Sequence, residues 1–187
     1  MKIEESIRRY VPFNEQEQRD REVILDFLQK NPDALLRSNR IAHMTASAWI
    51  VNRKRTKVVM VYHNIYDSWS WTGGHADGEE DLLAVAMREA CEETGLSSVR
   101  PVSEEIFSLE VLTVDGHEKR GEYVSSHLHL NVTYLLEADE GQSLHICEEE
   151  NSGVRWFTLD GALKASTEPW FVRRIYGKLN QKLLGQQ

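Results

Sequence analysis

Three glutamates, Glu89, Glu92 and Glu93, stand at i, i+3 and i+4 in a stretch that reads as helix. At about 100° per residue, Leu82, Leu83, Ala86, Met87 and Ala90 make one apolar face. Glu89 and Glu93 fall at the edge of that face, and Glu92 lies one step further toward the polar side. Carboxylates gathered at a core boundary repel one another unless something positive sits among them. A hard divalent cation meets that need, because magnesium takes oxygen ligands, keeps several waters and adds substrate phosphates. A carboxylate left over can act as a base toward nearby water. Ahead of the helix, Gly73 and Gly74 leave the backbone bare, so that its carbonyls and amides can approach a metal or a phosphate closely. Three glutamates alone also fit a solvated acidic helix flank. Their setting is what separates the two readings.

Glu80 to Thr94 reads as the helix that must position these groups, with Gly95 where a C-cap glycine belongs. Before it, Met44–Val51 and Lys57–Tyr62 are β-prone runs split by the polar turn Asn52-Arg53-Lys54-Arg55. Trp69 to Gly74 reads as a loop; Trp69 and Trp71 suit packing there better than stacking on a nucleobase. After the helix, Ile106–Val114 reads as a strand. His127–Leu136 alternates, with His127, His129, Asn131 and Thr133 on one face and Leu128, Leu130, Val132, Tyr134 and Leu136 on the other. Val154–Phe157 is a short strand. Pro169 opens a last helix with Val172, Ile175, Tyr176, Leu179 and Leu183 as its buried stripe. At the N-terminus, Asn14 with Glu17 makes a capping-box-like start to a helix striped by Val23, Ile24, Phe27 and Leu28, which Asn31-Pro32 stops. That stripe needs a surface, either the main domain or a second subunit in a homodimer. The order predicts an α+β fold, with a helical extension over residues 1–40 and the main domain over 41–187.

Composition narrows the partners. A net charge of −8 repels phosphate polymers, which argues against nucleic acid but leaves a small phosphorylated metabolite bridged by a cation. No apolar run is long enough to span a membrane, and the N-terminus carries acids where a signal peptide needs a basic region. The two cysteines, Cys91 and Cys147, match no zinc spacing and make a poor disulfide framework, so a reduced cytoplasm is the expected setting.

From Gly74 to Leu96 the chain runs glycine, five residues, Glu80, seven residues, Arg88-Glu89, two residues, Glu92-Glu93, one residue, Gly95 and an apolar residue. Ordinary residue frequencies would produce this in on the order of one such chain in ten million. The segment resembles the Nudix box at every defined position, and the order of elements suits the Nudix α/β/α sandwich of mixed sheet. The resemblance implies a Mg2+-dependent hydrolase, with Mn2+ as a substitute, in which water attacks a phosphorus of a diphosphate. It assigns Glu89, Glu92 and Glu93 to the metal, joined by the Gly73 carbonyl, and gives Gly74 and Gly95 backbone roles. It pairs Arg88 with Glu80 in a salt bridge that orients the helix. Thr72 stands where many members carry a proline, which leaves the loop less rigid. The stretch Glu148-Glu149-Glu150-Asn151-Ser152-Gly153-Val154-Arg155-Trp156 resembles the family's glutamate-before-tryptophan stretch, and its spacing favours Glu150 as base.

His127 and His129 invite a metal reading, but no third soft ligand is evident, so they are expected as substrate contacts on a polar strand face bordering the cleft. Two other functions were weighed. Isopentenyl-diphosphate isomerase resembles this fold but carries a cysteine where Gly73 stands. Nudix-like sensing modules usually lose the box carboxylates, which are all present here. Selectivity among nucleotide metabolites falls to loops such as 115–126.

Overall fold

The computed structural model describes residues 2–119 and 121–185. Along the chain come α1 (Lys2–Arg9), α2 (Glu15–Lys30), β1 (Ala42–Asn52), β2 (Lys57–His63), β3 (Ser68–Ser70), β4 (Thr72–His75) and α3 (Leu82–Thr94). Then follow β5 (Arg100–Pro101), β6 (Ser108–Val114), β7 (His117–Lys119), β8 (Glu122–Val124), β9 (His127–Ala138) and β10 (Asn151–Thr158). Last are α4 (Leu159–Ala165), α5 (Pro169–Phe171), a π-helical turn (Val172–Tyr176) and α6 (Gly177–Gly185). The fold is α+β, a mixed sheet with flanking helices. Strand order is β10-β2-β1-β9-β5, with β3 on β2, β4 on β1 and β6 on β9, while β7 and β8 form a separate ribbon. No helix among the described residues is long and apolar enough to cross a membrane.

The chain packs as two compact units. The first comprises Met1–Ser47, Gly73–Ala86 and Glu104–Tyr134. In it Asn14 caps α2 by accepting from the Glu17 amide at 2.9 Å, as its spacing predicts. The Glu17 carboxylate turns back to accept from the Phe13 amide at 2.7 Å and the Tyr10 hydroxyl at 2.6 Å, and lies 2.8 Å from Ser108 Oγ. Through that fully buried carboxylate the N-terminal helices dock on β6. Ile24 and Leu28 are buried as expected, but Val23 is about half exposed, so the apolar stripe is narrower than its spacing suggested.

The polar face of β9 also departs from expectation. Asn131 and Thr133 do not border a cleft; both are fully buried. Thr45 and Ser47 donate to Asn131 Oδ1 at 3.0 and 2.9 Å, and Asn131 Nδ2 and Thr133 Oγ1 each donate to Glu110 Oε2 at 3.0 Å. A closed network of this kind lets a sheet carry polar residues on a covered face without the cost of unpaired groups. The 115–126 segment is mostly the β7–β8 ribbon, registered His117 to Val124, and its Arg120 lies outside the described residues.

The second unit comprises Ala48–Thr72, Met87–Ser103 and Leu135–Gln187. Here Val51 pairs with Val58 across the β1–β2 turn, where Asn52 Oδ1 accepts from the Thr56 and Lys57 amides. The stretch expected as a loop is partly strand, because Ser68–Ser70 pairs with the Val61–His63 end of β2. Trp71 packs edge-on against Tyr176, which stacks on Trp49 at 5.5 Å, and Trp69 meets Tyr62 and Phe157. The tryptophans are packing groups. Helix α4 was not anticipated; Thr158 caps it by accepting from the Gly161 amide at 3.0 Å. The C-terminal helix begins at Pro169 as expected, but widens into a π turn. Ile175, Tyr176, Leu179 and Leu183 are fully buried, while Val172 is only partly covered.

Candidate active site

Helix α3 begins at Leu82, because Asp81 Oδ1 accepts from the Ala84 amide at 3.2 Å and so caps it. Glu80 therefore precedes the helix, exposed. Further along, the three glutamates show the gradient that helical spacing dictates. Glu93 is 4% exposed, the Glu89 side chain is 18% exposed, and Glu92 faces solvent. Burial pushes the Glu89 carboxyl above the usual carboxylate range; Arg88 opposes this through a hydrogen bond, while the charges of Glu92 and Glu150 add to it. Among the described residues the ion pair of Arg88 is with Glu89, at 3.2 Å, where Glu80 had been expected. The physical reason is the field: Glu89 sits among further carboxylates and draws the only guanidinium on that stretch of helix.

A second segment is fastened to the end of α3. Asn151, fully buried at the start of β10, donates through Nδ2 to the Glu93 carbonyl at 2.9 Å and accepts from the Cys147 amide at 3.3 Å. The Glu150 amide donates to the Cys147 carbonyl at 2.8 Å, and the Glu150 carbonyl accepts from the Asn64 amide at 3.1 Å. Gly95 takes φ +70°, and a Cβ there would lie 2.7 Å from His145 Cβ, while the His145 amide donates to the Thr94 carbonyl at 2.8 Å. The glycine is thus required twice, by its conformation and by the approach of the 145–151 segment. The result holds Glu150 within electrostatic reach of Glu89. Asn151 was not singled out from sequence, where it is one polar residue after an acidic run. Oxygen donors of graded exposure, with one carboxyl strained by burial and like charge, make a set that a hard divalent cation would complete.

In the first unit, Gly73 lies so close to β1 that a Cβ would meet Ser47 Oγ at 2.5 Å and the Ala46 carbonyl at 2.7 Å. Gly74 follows it in β4, partly covered. His127 and His129 do come together, Nε2 to Nε2 at 3.1 Å, but not alone. The His43 ring centroid lies 5.0 to 5.1 Å from those of His75, His127 and His129. Burial, with four neighbouring imidazoles, holds His129 down at about 2, and burial lowers His43 as well. No sequence signal pointed to His43 or His75 as partners of the pair on β9.

The model of the NUDIX domain matches residues 42–178. No curated protein matches the chain. Among solved structures, an Ap4A hydrolase of C. elegans in a binary complex is similar at 18% identity and a TM-score of 0.54, covering 76% of this chain and 96% of that one. A MutT protein from Methanosarcina mazei Go1 is similar at 17% identity and a TM-score of 0.53, with coverage of 77% and 96%. The E. coli dihydroneopterin triphosphate pyrophosphohydrolase is similar at 15% identity and a TM-score of 0.53, with coverage of 72% and 92%. Likeness at these identities speaks for the fold.

Proposed function

The chain belongs to the Nudix family, and from that premise we propose that it is a Mg2+-dependent hydrolase cleaving the diphosphate bond of a nucleoside-diphosphate-linked metabolite by attack of water on phosphorus. The observation that carries this reading is the α3 flank, where Glu89, Glu92 and Glu93 grade from buried to exposed with Glu150 close enough to perturb Glu89. Glu89 and Glu93 are the first candidates to hold the cation, with Glu92 beside them; Mn2+ suits the same oxygen donors. When bound, the cation supplies charge neutralisation on phosphate oxygens. Glu150 is exposed and tethered through its backbone, which suits a base taking a proton from water. Arg88 balances and orients Glu89. The parts assigned to Gly73 as a carbonyl ligand and to Gly74 as a backbone contact for substrate rest on the resemblance. The substrate contacts assigned to His127 and His129 rest on their place on the polar face of β9.

The names of two of the similar structures, an Ap4A hydrolase and a dihydroneopterin triphosphate pyrophosphohydrolase, point to polyphosphorylated small molecules as the place to look for the substrate. The isomerase alternative needs a thiol at position 73, which the contacts with Ser47 and the Ala46 carbonyl leave no room for. The test is turnover of a nucleotide-metabolite panel with magnesium, with products identified by mass, for the native chain and for Glu93→Gln. We expect chelation to abolish turnover and Glu93→Gln to lower kcat by roughly 10²–10⁴. Full activity in excess chelator, or a kcat within about threefold for Glu93→Gln, would overturn the assignment.

A further inference from the structure

We propose that His43, His75 and His129 form a second cation site, built from ligands other than the α3 carboxylates, that binds a zinc-class transition metal ion. One ring nitrogen from each lies within 4.8 Å of the others. Tetrahedral zinc with N bonds of about 2.0–2.1 Å holds its ligand nitrogens about 3.3–3.4 Å apart, so small ring rotations would close the set.

The hydrogen bonds around the rings favour ligation. His43 Nδ1 lies 3.0 Å from the Asn39 carbonyl, and His127 Nδ1 lies 2.8 Å from the Ser125 carbonyl. A carbonyl only accepts, so each Nδ1 carries a proton, and in His43, whose charged form burial disfavours, Nε2 is the nitrogen that keeps a lone pair. Metal-ligating histidines are commonly fixed in this way, by a backbone acceptor on the far nitrogen. His43 is 3% exposed, and its Nε2 has no hydrogen-bond partner. A buried lone pair left unsatisfied is costly unless something electrophilic meets it. His75 and His129 are only partly covered, which leaves a route for an ion from solvent. His127, protonated at Nδ1, accepts through Nε2 from His129 Nε2 at 3.1 Å, which leaves His129 Nδ1 as the nitrogen with a lone pair for the ion.

Charge and softness set the preference. The ligands are neutral imidazoles, which suit zinc, nickel, copper and iron, whereas carboxylates suit magnesium and manganese. Asp77, whose field reaches His43 and His75, is engaged by Arg37, whose Nε donates to Asp77 Oδ1 at 2.6 Å with a second contact through Nη2. The cluster lies within the first unit, and the inference stands whether or not the α3 flank is catalytic.

The experiment uses the full chain, stripped with chelator and then titrated with Zn2+ in excess Mg2+. Metal content is read after gel filtration, and long-range 1H–15N spectra of the histidine rings show which nitrogens are metallated. We expect about one zinc per chain, shifted nitrogen resonances on His43, His75 and His129, at least a tenfold loss of zinc affinity in His75→Ala and His129→Ala, and retention in Glu93→Gln. The part-exposed His75 keeps the test usable if His129→Ala fails to fold, and the spectra of the native chain need no variant. Failure to retain zinc, unshifted ring resonances on zinc addition, or zinc binding that survives His75→Ala but disappears in Glu93→Gln would overturn the proposal.

Discussion

Asn151→Ala probes the tether between α3 and the segment bearing Glu150. The native amide is fully buried, donates to the Glu93 carbonyl at 2.9 Å and accepts a longer bond, 3.3 Å, from the Cys147 amide. Losing one well-formed hydrogen bond removes about 0.5–1.5 kcal/mol, and leaving a buried partner under-satisfied costs a further 1–3 kcal/mol or so, a total near 2–4 kcal/mol. At roughly 2–4 °C per kcal/mol for a chain of this size, the melting temperature should fall by about 4–16 °C. The same change lets the 147–151 turn move relative to α3. A misplacement of about 1 Å in a catalytic group can cost 100-fold, so kcat should fall by roughly 10–100-fold while KM changes little. Differential scanning fluorimetry and steady-state kinetics on one diphosphate substrate make the measurement. A melting temperature within about 2 °C of native with native kcat would refute the tether, since neither the buried bond nor the position of Glu150 could then matter.

Two further outcomes follow from buried carboxylates. Burial raises the Glu89 carboxyl above its ordinary value of 4.5, so that group favours the fold while protonated, fully so below its unfolded value, and this contribution is lost as pH rises through the folded value. Glu89→Gln in chelator should therefore be more stable than native at neutral pH, with the gap closing toward about pH 4; a gap constant with pH would contradict this. Glu17→Ala strips the acceptor from the Phe13 amide and the Tyr10 hydroxyl and breaks contact with Ser108. It should destabilise by about 2–4 kcal/mol, the cost of losing hydrogen bonds and leaving buried partners under-satisfied, and urea unfolding with a loss below about 1 kcal/mol would show that these bonds do not hold the N-terminal helices on β6.

The chemistry of the α3 flank is legible in the sequence because a helix is a local object. Its 3.6-residue period alone decides that Glu93 and Glu89 lie nearer the core than Glu92, and the burial gradient follows it. Capping is local too, which is why Asn14, Pro169 and Gly95 mark their elements correctly. What depends on two distant stretches meeting could not be read. Arg88 has Glu89 beside it and Glu80 eight positions away, and only the field of the assembled site selects between them. Strands β3 and β4 form because β2 and β1 are there to pair with them, not because their residues insist on it. The polar side of β9 looks from the sequence like a cleft wall, yet Glu110 on β6 and Thr45 and Ser47 on β1 close it into a buried network. The same pairing of distant strands makes His127 and His129 part of a larger set. In sequence they are two alternate residues lacking a third ligand; folding brings in His43 from β1 and His75 from β4, because side-chain direction on a strand is local but the identity of its neighbours is set only by the sheet.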